Sequence, residues 1–517
     1  MEIDEIFNDS GSELATEFDD LHMSSTNEED EEMDIASPTI RKKHAPRKWR
    51  QYGFDLKDLK FSDRASGVNK EFEIEGNNPS DYFKAFFDDE LMEIIVEETN
   101  NYQQQNTTPN IAKTAAWYDT NAEEMYIFFA TTILMGLNQK NRIKDYWSTD
   151  KLITTPIFGE LFTRNRYLSV LRYLHFADNN TEQEGKLREI QHIIENLRKK
   201  SQKAQYIPSK KHHFGVKLFL LCDCETKFVL NFIIYTGAET EIDNYPEVGI
   251  SSSVVLTLMK NYLKKNHTLF IDNWYSSPTL FERLLEEKTK ACGTVKRTRN
   301  GMPMFGKLAK GQQEYRTTGE LLALKWMDER EVYMLTTAHK PVMVETGKND
   351  KETGRKIKKP HCIVQYNKNM GAVDQVDMQT SFSECLRKTI KWYKKLFFHL
   401  FDVTVQNSYA MYKMKTHKNI ELSQFRLELA RELIEEYGSM RPQTKGRPPI
   451  DCPLRLSARH FIAFIPAEPR LSTTPPTTTV TRSPPVLGPP PSPPSPPLPP
   501  ALPVPPPPPP DHQHCNG

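Results

Sequence analysis

The sequence lacks the features that mark secreted, membrane and zinc-binding proteins. Its first residues are acidic, whereas a secretory signal begins with basic residues and continues into an apolar stretch. No apolar run reaches the roughly 18 residues of a membrane-spanning helix, and the richest, residues 127–137, is typical of a buried helix. The seven cysteines contain no Cys-x-x-Cys pair. We therefore expect a reduced intracellular protein without membrane contact, disulfide framework or zinc site.

Lysine and arginine are absent from residues 1–36, which hold 14 acidic side chains. The whole chain of 517 residues nevertheless balances 68 basic against 68 acidic side chains. Residues 471–517 contain one basic and one acidic side chain. The remaining residues 37–470 therefore carry 67 basic and 53 acidic side chains, a net charge of +14. A basic body behind an acidic leader favours a polyanionic partner.

Both ends of the chain are predicted to be disordered. Residues 1–50 form an acidic leader that ends in a basic run at residues 41–50. That run is typical of a nuclear-import signal or a DNA-backbone arm, and equally of a solvated linker. Residues 466–517 form a proline-rich tail, and 22 of the 37 prolines lie in residues 466–510. Such a tail can bind an SH3, WW or EVH1 domain, or it can be unselected low-complexity sequence.

The apolar residues between these ends follow two periods. From about residue 79 to residue 200 they recur at helical spacing, and Asn78 and Asn121 stand where helix caps are expected. After Gly215 the runs become short and β-prone, starting with a hairpin across residues 216–235.

Helices and strands then alternate. Strands are predicted at residues 268–274 and 291–295, and residues 297–365 are predicted to form a β-rich insert that contains a charged loop at 348–359. Helices resume near residue 372 and run to about residue 437. This order predicts an α/β plus α fold.

Three acidic residues fall where a catalytic site is expected. Asp272 ends the strand predicted at 268–274, and a strand end is where an α/β sheet presents its site. Asp374 and Asp377, spaced i and i+3, open a predicted helix and share one of its faces. Carboxylates that converge in this way suit Mg²⁺ and phosphodiester transfer. Helix capping by Asp374 and a turn bond from Asp272 would explain the same residues without catalysis.

A basic and aromatic group follows the acidic one. The residues that we expect to contact DNA are Arg387, Lys388, Lys391, Trp392 and Lys395. On a helix, Lys388, Lys391 and Lys395 would share a face, and lysines can follow phosphates while the tryptophan stacks on an unpaired base. A core tryptophan beneath a solvated basic face is the alternative.

Several strings resemble the piggyBac transposase family. They include FGVKLFLLCDCETKFVLNFIIYTG (214–237), LFIDNWYSSPTLFERLLEEK (269–288), GTVKRTRN (293–300) and NKNMGAVDQVDMQ (367–379). The resemblance implies an RNase H-like catalytic core interrupted by the β-rich insert and flanked by helical domains. The implied divisions are a helical DNA-binding and dimerisation domain at 75–200, a first core part at 206–296, the insert at 297–365, and the core end with C-terminal helices at 366–438.

The resemblance also implies chemistry. Family members cut and paste DNA at TTAA targets with three aspartates and a divalent metal, here Mg²⁺ or Mn²⁺, and the implied assembly is a homodimer on transposon-end-like DNA. Asp272 matches the second catalytic aspartate and metal ligand, Asp374 the third, and Asp377 an accessory carboxylate. Trp392 resembles an aromatic residue that lies near the transposon end.

Two departures from the family pattern decide what we expect of this chain. The family's first aspartate lies on the first core strand, but no aspartate occurs between Asp178 and Asp223. We therefore expect that strand and its aspartate to be missing, and their loss would leave both neighbouring strands with an unpaired edge. In addition, the proline-rich tail stands where many members continue into a Cys-rich zinc module.

We therefore expect a nuclear, piggyBac transposase-derived protein that binds DNA and is impaired in transposition. Two alternatives remain open from the sequence. An active transposase would give this sequence if the chain were an incomplete isoform or gene model. A domesticated interaction protein would act through the acidic leader and the proline-rich tail.

Overall fold

The computed structural model describes residues 47–59, 61, 74–106, 117–180, 185–204, 217–349, 354–385 and 391–438. All of these belong to the first of two units, Met1–Gly446. The predictions for the leader before residue 47, the proline-rich tail and the missing Cys-rich module lie outside the described residues. Among the described helices, none has both the length and the apolar character needed to cross a membrane.

Helices fill the first half of the described chain, as the apolar spacing predicts. The predicted starts at Asn78 and Asn121 are confirmed. The Asn121 side chain accepts a hydrogen bond from the Glu124 amide (2.9 Å), and the Asn78 amide donates to the Asp81 carboxylate (2.8 Å). The helices are α1 (Pro79–Lys84), α2 (Asp89–Gln105), α3 (Ala122–Leu137), α4 (Pro156–Leu161), α5 (Arg164–Tyr173) and α6 (Gln191–Ala204).

The predicted hairpin is present as a separate two-stranded antiparallel sheet. It consists of β1 (Leu218–Cys222) and β2 (Val229–Ile234). The helix α7 (Ile250–Met259), the strand β3 (Thr268–Ile271), the helix α8 (Pro278–Glu286) and the strand β4 (Lys290–Thr294) follow in the predicted alternation. β3 pairs with β4 in parallel, and the sheet that they start does not include the hairpin among the described strands.

The strands of the predicted insert extend the sheet that β3 and β4 begin. They are β5 (Gln313–Thr317), β6 (Leu322–Met327) and β7 (Glu331–Thr336). β7 pairs antiparallel with β4, so the described five-stranded sheet has the order β3-β4-β7-β6-β5. The strands that interrupt the sequence pattern are therefore hydrogen-bonded into the sheet that carries Asp272.

The charged loop predicted at residues 348–359 is wrong at both of its ends. Residues 348–349 end β8 (Met343–Asn349), residues 356–359 belong to β9 (Lys356–Pro360), and the two strands form a hairpin. Charges of opposite sign face each other across the pair, since Glu345 lies 3.5 Å from Lys356 and 3.7 Å from Lys358. Cross-strand pairs of this kind stabilise a hairpin that hydropathy alone does not indicate.

Four helices complete the described chain. They are α9 (His361–Asn369), α10 (Ala372–Phe382), α11 (Trp392–Thr416) and α12 (Leu422–Tyr437). α9 starts inside the span predicted as a β-rich insert, so that prediction is wrong after residue 360. α11 runs through the core of the helical half, where Phe397 and Phe401 contact Phe87 and Phe129 at ring-centroid distances of 5.1–6.2 Å.

A buried ion pair joins the last three helices. Arg426 on α12 has no solvent exposure and donates to the Asp402 carboxylate on α11 at 2.8 Å. The same guanidinium donates to the Ser383 carbonyl at 2.7 Å, and the Asp402 carboxylate also accepts from the Cys385 amide at 3.1 Å. The segment that follows α10 is therefore fixed to α11 and α12 by charge-assisted bonds.

Replacing one member of this pair should destabilise the protein strongly. Arg426→Met leaves the Asp402 charge buried without a partner, and we expect a loss of about 3–5 kcal/mol in the free energy of unfolding, measured by urea denaturation. The double variant Arg426→Met/Asp402→Leu should recover part of that loss. As a control, Arg142→Ala removes one member of a surface pair at 3.0 Å and should cost less than about 1 kcal/mol.

Candidate functional site

Asp272 lies directly after β3, where the sequence places it. Its carbonyl accepts hydrogen bonds from the Tyr275 and Ser276 amides (3.2 and 3.1 Å), and its carboxylate accepts one from the Asn273 amide (2.5 Å). The backbone therefore turns at once, so the predicted strand to residue 274 ends at Ile271. Asp272 thus makes the turn bond that a purely structural role would require. Its half-buried carboxylate lies at the end of the sheet.

The turn after β3 lies close against β4 because residue 293 is glycine. A Cβ atom at Gly293 would lie 2.4 Å from the Ile271 carbonyl oxygen and 2.7 Å from the Ser276 hydroxyl. These separations are shorter than any side chain tolerates, so a larger residue would push β4 away from β3. The position of Asp272 depends on this close approach.

A second contact holds the same turn from the other side. The Arg299 guanidinium donates to the carbonyls of Asn273 and Trp274 at 2.7 and 2.9 Å. Arg299 lies in the GTVKRTRN string that carries part of the family resemblance, but sequence spacing gave no reason to pair it with Asp272. These two bonds position the turn, and neither of them involves the Asp272 carboxylate.

Asp374 and Asp377 lie on α10, as predicted. The N-cap of α10 is Gly371, without a side-chain cap bond, so Asp374 is not the helix cap that a structural role would require. Asp374 is exposed in the first turn, where a carboxylate interacts favourably with the helix dipole, and Asp377 is half-buried.

The charges of both Asp272 and Asp374 influence Tyr366 on α9. Burial raises the pKa of its hydroxyl, and the negative charges of Asp272 and Asp374 raise that pKa further. The hydroxyl lies 3.3 Å from the Thr294 hydroxyl at the end of β4. The charges of Asp272, at a strand end, and of Asp374, on a helix face, thus both contribute to the raised pKa of this tyrosine. Sequence reasoning did not identify Tyr366.

The carboxylates do not assemble a full metal site among the described residues. Nowhere in the described ranges do three or more His, Cys, Asp or Glu side chains converge in a way that could hold a metal ion. Asp223, the first aspartate in the sequence after Asp178, is buried in the β1–β2 turn, and its carboxylate accepts a hydrogen bond from the Thr226 amide at 2.8 Å. Asp272 and Asp374 are two carboxylates, whereas the family resemblance implies three aspartates for metal-dependent phosphodiester transfer.

The predicted DNA-binding group is only partly described. Arg387 and Lys388 lie outside the described residues. α11 begins at Trp392, and Lys391 precedes it in an extended conformation, so the predicted shared helical face does not include Lys391. The Lys391 ammonium instead bonds to the Tyr102 hydroxyl and lies 4.3 Å from the centre of that ring. Lys395 is exposed, and Trp392 is half-buried.

A buried polar cluster supports the start of α11. Lys394 donates to the carbonyls of Leu171 and Arg172 at 2.9 and 2.7 Å. The neutral His175 ring accepts from the Tyr393 hydroxyl (2.8 Å) and donates to the Asn179 side-chain oxygen (3.0 Å). The pKa of His175 is lowered to about 4, mainly by burial; the charges of Lys391 and Lys394 add to this lowering, and the bond to Asn179 opposes it.

The depressed pKa of His175 should make the protein sensitive to acid. The unfolded chain takes up a proton near pH 6.5, but the folded state resists it until about pH 4, so stability should fall as the pH drops through this window and be unaffected above it. His175→Gln should reduce the slope by up to about 1.4 kcal/mol per pH unit, measured by urea denaturation. The exposed His192, replaced in the same way, is the control; equal slopes for both variants would contradict the assignment.

The fold and the strand-end aspartate define a transposase. A family model described as "Transposase IS4" matches residues 78–205 and 198–409. The chain therefore belongs to this transposase family, and the predicted resemblance to piggyBac transposases is confirmed.

Individual proteins agree with this membership. PiggyBac transposable element-derived protein 3 of Homo sapiens is 22% identical over 440 residues, which cover 78% of this chain and 72% of that protein. The chimeric ERCC6-PGBD3 protein of Homo sapiens is also 22% identical, but only 40% of it is covered. A cryo-EM structure of a piggyBac transposase synaptic complex with hairpin DNA is similar in fold, with a TM-score of 0.61, 22% identity, and coverage of 74% of this chain and 85% of that one.

Proposed function

We propose that this protein is a nuclear, DNA-binding derivative of a piggyBac transposase that cannot complete cut-and-paste transposition. The observation that carries the proposal is the incomplete carboxylate set: the described part of the chain holds no group of three or more potential metal ligands, and no aspartate occurs between Asp178 and Asp223. Positioning errors of about 1 Å already reduce such catalysis severely, so the loss of an entire ligand should be decisive.

The arrangement of the sheets supports the loss of the first strand of an RNase H-like core. In such a core that strand lies between the hairpin and the strand that carries the second aspartate. Here the described hairpin β1–β2 and the sheet that begins with β3 are separate. Side chains, not backbone bonds, link them: the Phe219 ring on β1 stacks on Trp274 after β3 at 6.2 Å.

DNA binding does not depend on the missing carboxylate. The start of α11 offers an exposed Lys395, a half-buried Trp392 and the Lys391 ammonium, and cations of this kind bind phosphates without any metal. We infer that the partner is transposon-end-like or TTAA-containing DNA and that the protein binds it as a homodimer.

The decisive experiment combines cleavage and binding on one DNA. Purified protein is incubated with a TTAA-flanked transposon-end duplex in Mg²⁺ or Mn²⁺, and its affinity for the same duplex is measured at several salt concentrations. We expect salt-dependent binding and no nicking. Metal-dependent nicking would establish an active transposase and sink the proposed impairment. Absent or salt-insensitive binding would instead favour an interaction protein that works through its leader and tail.

The basic residues at the start of α11 should contribute part of the salt dependence of DNA affinity. Lys391→Ala/Lys395→Ala removes two cations, and the slope of log affinity against log salt should fall by roughly 1.8 if both contact phosphates. Lys356→Ala/Lys358→Ala on β9 removes the same charge from residues already paired with Glu345 and serves as the control. An unchanged slope in the first variant would refute the assignment of this interface.

A further inference from the structure

The first described residues form an arm, residues 47–59, that is tied to the core by one arginine. Arg47 donates from Nε and Nη2 to the two carboxylate oxygens of Glu282 at 2.9 and 2.7 Å, and from Nη2 to the Thr279 hydroxyl at 2.9 Å. Both partners lie on α8. This bidentate, charge-assisted geometry fixes the arginine, whose side chain is only 13% exposed.

Two further contacts fix the arm along its length. The Trp49 indole donates to the Gly301 carbonyl at 3.1 Å, and the backbone of Arg50 exchanges two bonds of 2.8 Å with Thr317 on β5. Gly301 has a φ of +84°, and a Cβ there would lie 2.4 Å from an Arg47 nitrogen. Residues 47–50 are thus part of the folded core and not a free linker.

The anchored residues alternate with exposed cations. Arg47 and Trp49 turn inward, whereas the side chains of Lys48 and Arg50 are exposed. The loop on which they rest begins after β4 with the exposed Arg297. It continues through Arg299, which holds the turn after Asp272, to Gly301, which contacts the arm. The arm therefore contacts, through Trp49, the loop that supports the strand-end aspartate, and it carries exposed cations on either side of that contact.

We propose that Lys48, Arg50 and Arg297 form a second DNA-phosphate-binding surface, the arm surface, which the Arg47–Glu282 pair holds in place together with the bonds of Trp49 and Arg50. The inference rests on the proposed DNA-binding function. Cations held by a rigid scaffold lose little freedom on binding a polyanion, so they bind it better than cations on a floppy chain. DNA is the partner that fits, because this surface adjoins the turn of the transposase-type aspartate.

The test uses a substitution for which charge and anchoring predict opposite results. Glu282→Ala in the full chain removes an acid and makes the protein more positive, which by charge alone strengthens DNA binding. If the anchored arm binds phosphate, the variant should instead lose up to roughly 1.8 from the salt slope, because Lys48 loses the neighbouring Arg47 anchor and Arg50 is held only by its backbone bonds to Thr317. Glu345→Ala on β8 makes the same charge change away from the arm, and its slope should match the wild-type value.

Three outcomes separate this inference from the proposed function. Lys48→Ala/Arg50→Ala should reproduce the loss, and adding Glu282→Ala to it should cause no further loss; this variant keeps the Arg47 anchor, so it does not depend on how Glu282→Ala folds. If wild-type protein binds DNA and responds to Lys391→Ala/Lys395→Ala, but Glu282→Ala behaves like Glu345→Ala, the arm surface alone is overturned. If wild-type protein shows no salt-dependent DNA binding, both proposals fall.

A competition experiment distinguishes DNA from an acidic polypeptide on the arm surface. Polyglutamate and a DNA duplex are compared as competitors at equal charge against labelled DNA. We expect the duplex to be the stronger competitor and the difference to shrink in Lys48→Ala/Arg50→Ala. Equal competition by polyglutamate in the wild-type protein would contradict a DNA-specific surface and assign it to acidic peptides.

Discussion

A guanidinium without solvent exposure needs an opposite charge inside the protein, and Arg426 finds partners for its two terminal nitrogens on two other elements, while its Nε has no hydrogen-bond partner among the described residues. Asp402 supplies the opposite charge, while the Ser383 carbonyl accepts a further bond. Ser383 also lies against α3, where a Cβ at Gly136 would come within 2.6 Å of its carbonyl oxygen. The segment between α10 and α11 is therefore fixed at Ser383. The positions of the candidate aspartates on α10 and of the basic residues at the start of α11 depend on these contacts.

The position of Asp272 depends on close backbone contacts, whereas the position of Asp374 depends on helix packing. Gly293 and Arg299 hold the Asp272 turn from two sides. α10 instead buries Ala372, Val373 and Val376 and leaves Asp374 on its exposed face. Two carboxylates are thus presented from independent supports, an arrangement that survives the separation of the hairpin from the main sheet.

Local features of this fold could be predicted from the sequence, and contacts between distant segments could not. The helix starts at Asn78 and Asn121 follow from neighbouring residues, so their predictions hold. The Arg47–Glu282 pair joins residues 235 positions apart, and no local pattern identifies it. The shared lysine face failed because α11 starts after Lys391, and the charged loop at 348–359 became a hairpin because Glu345 faces lysines across it.

Binding and catalysis place different demands on this scaffold, and this difference explains how one can outlast the other. Phosphate binding needs cations held near a polyanion and tolerates small displacements, because attraction between charges falls off gradually with distance. Metal-assisted phosphodiester transfer needs every ligand in place, because its geometry tolerates little displacement. Under the proposed function, removal of a central strand would leave the cations of α11 and of the arm on intact helices and loops, but it would take away a ligand. Such a loss would end catalysis first and leave a DNA-binding protein.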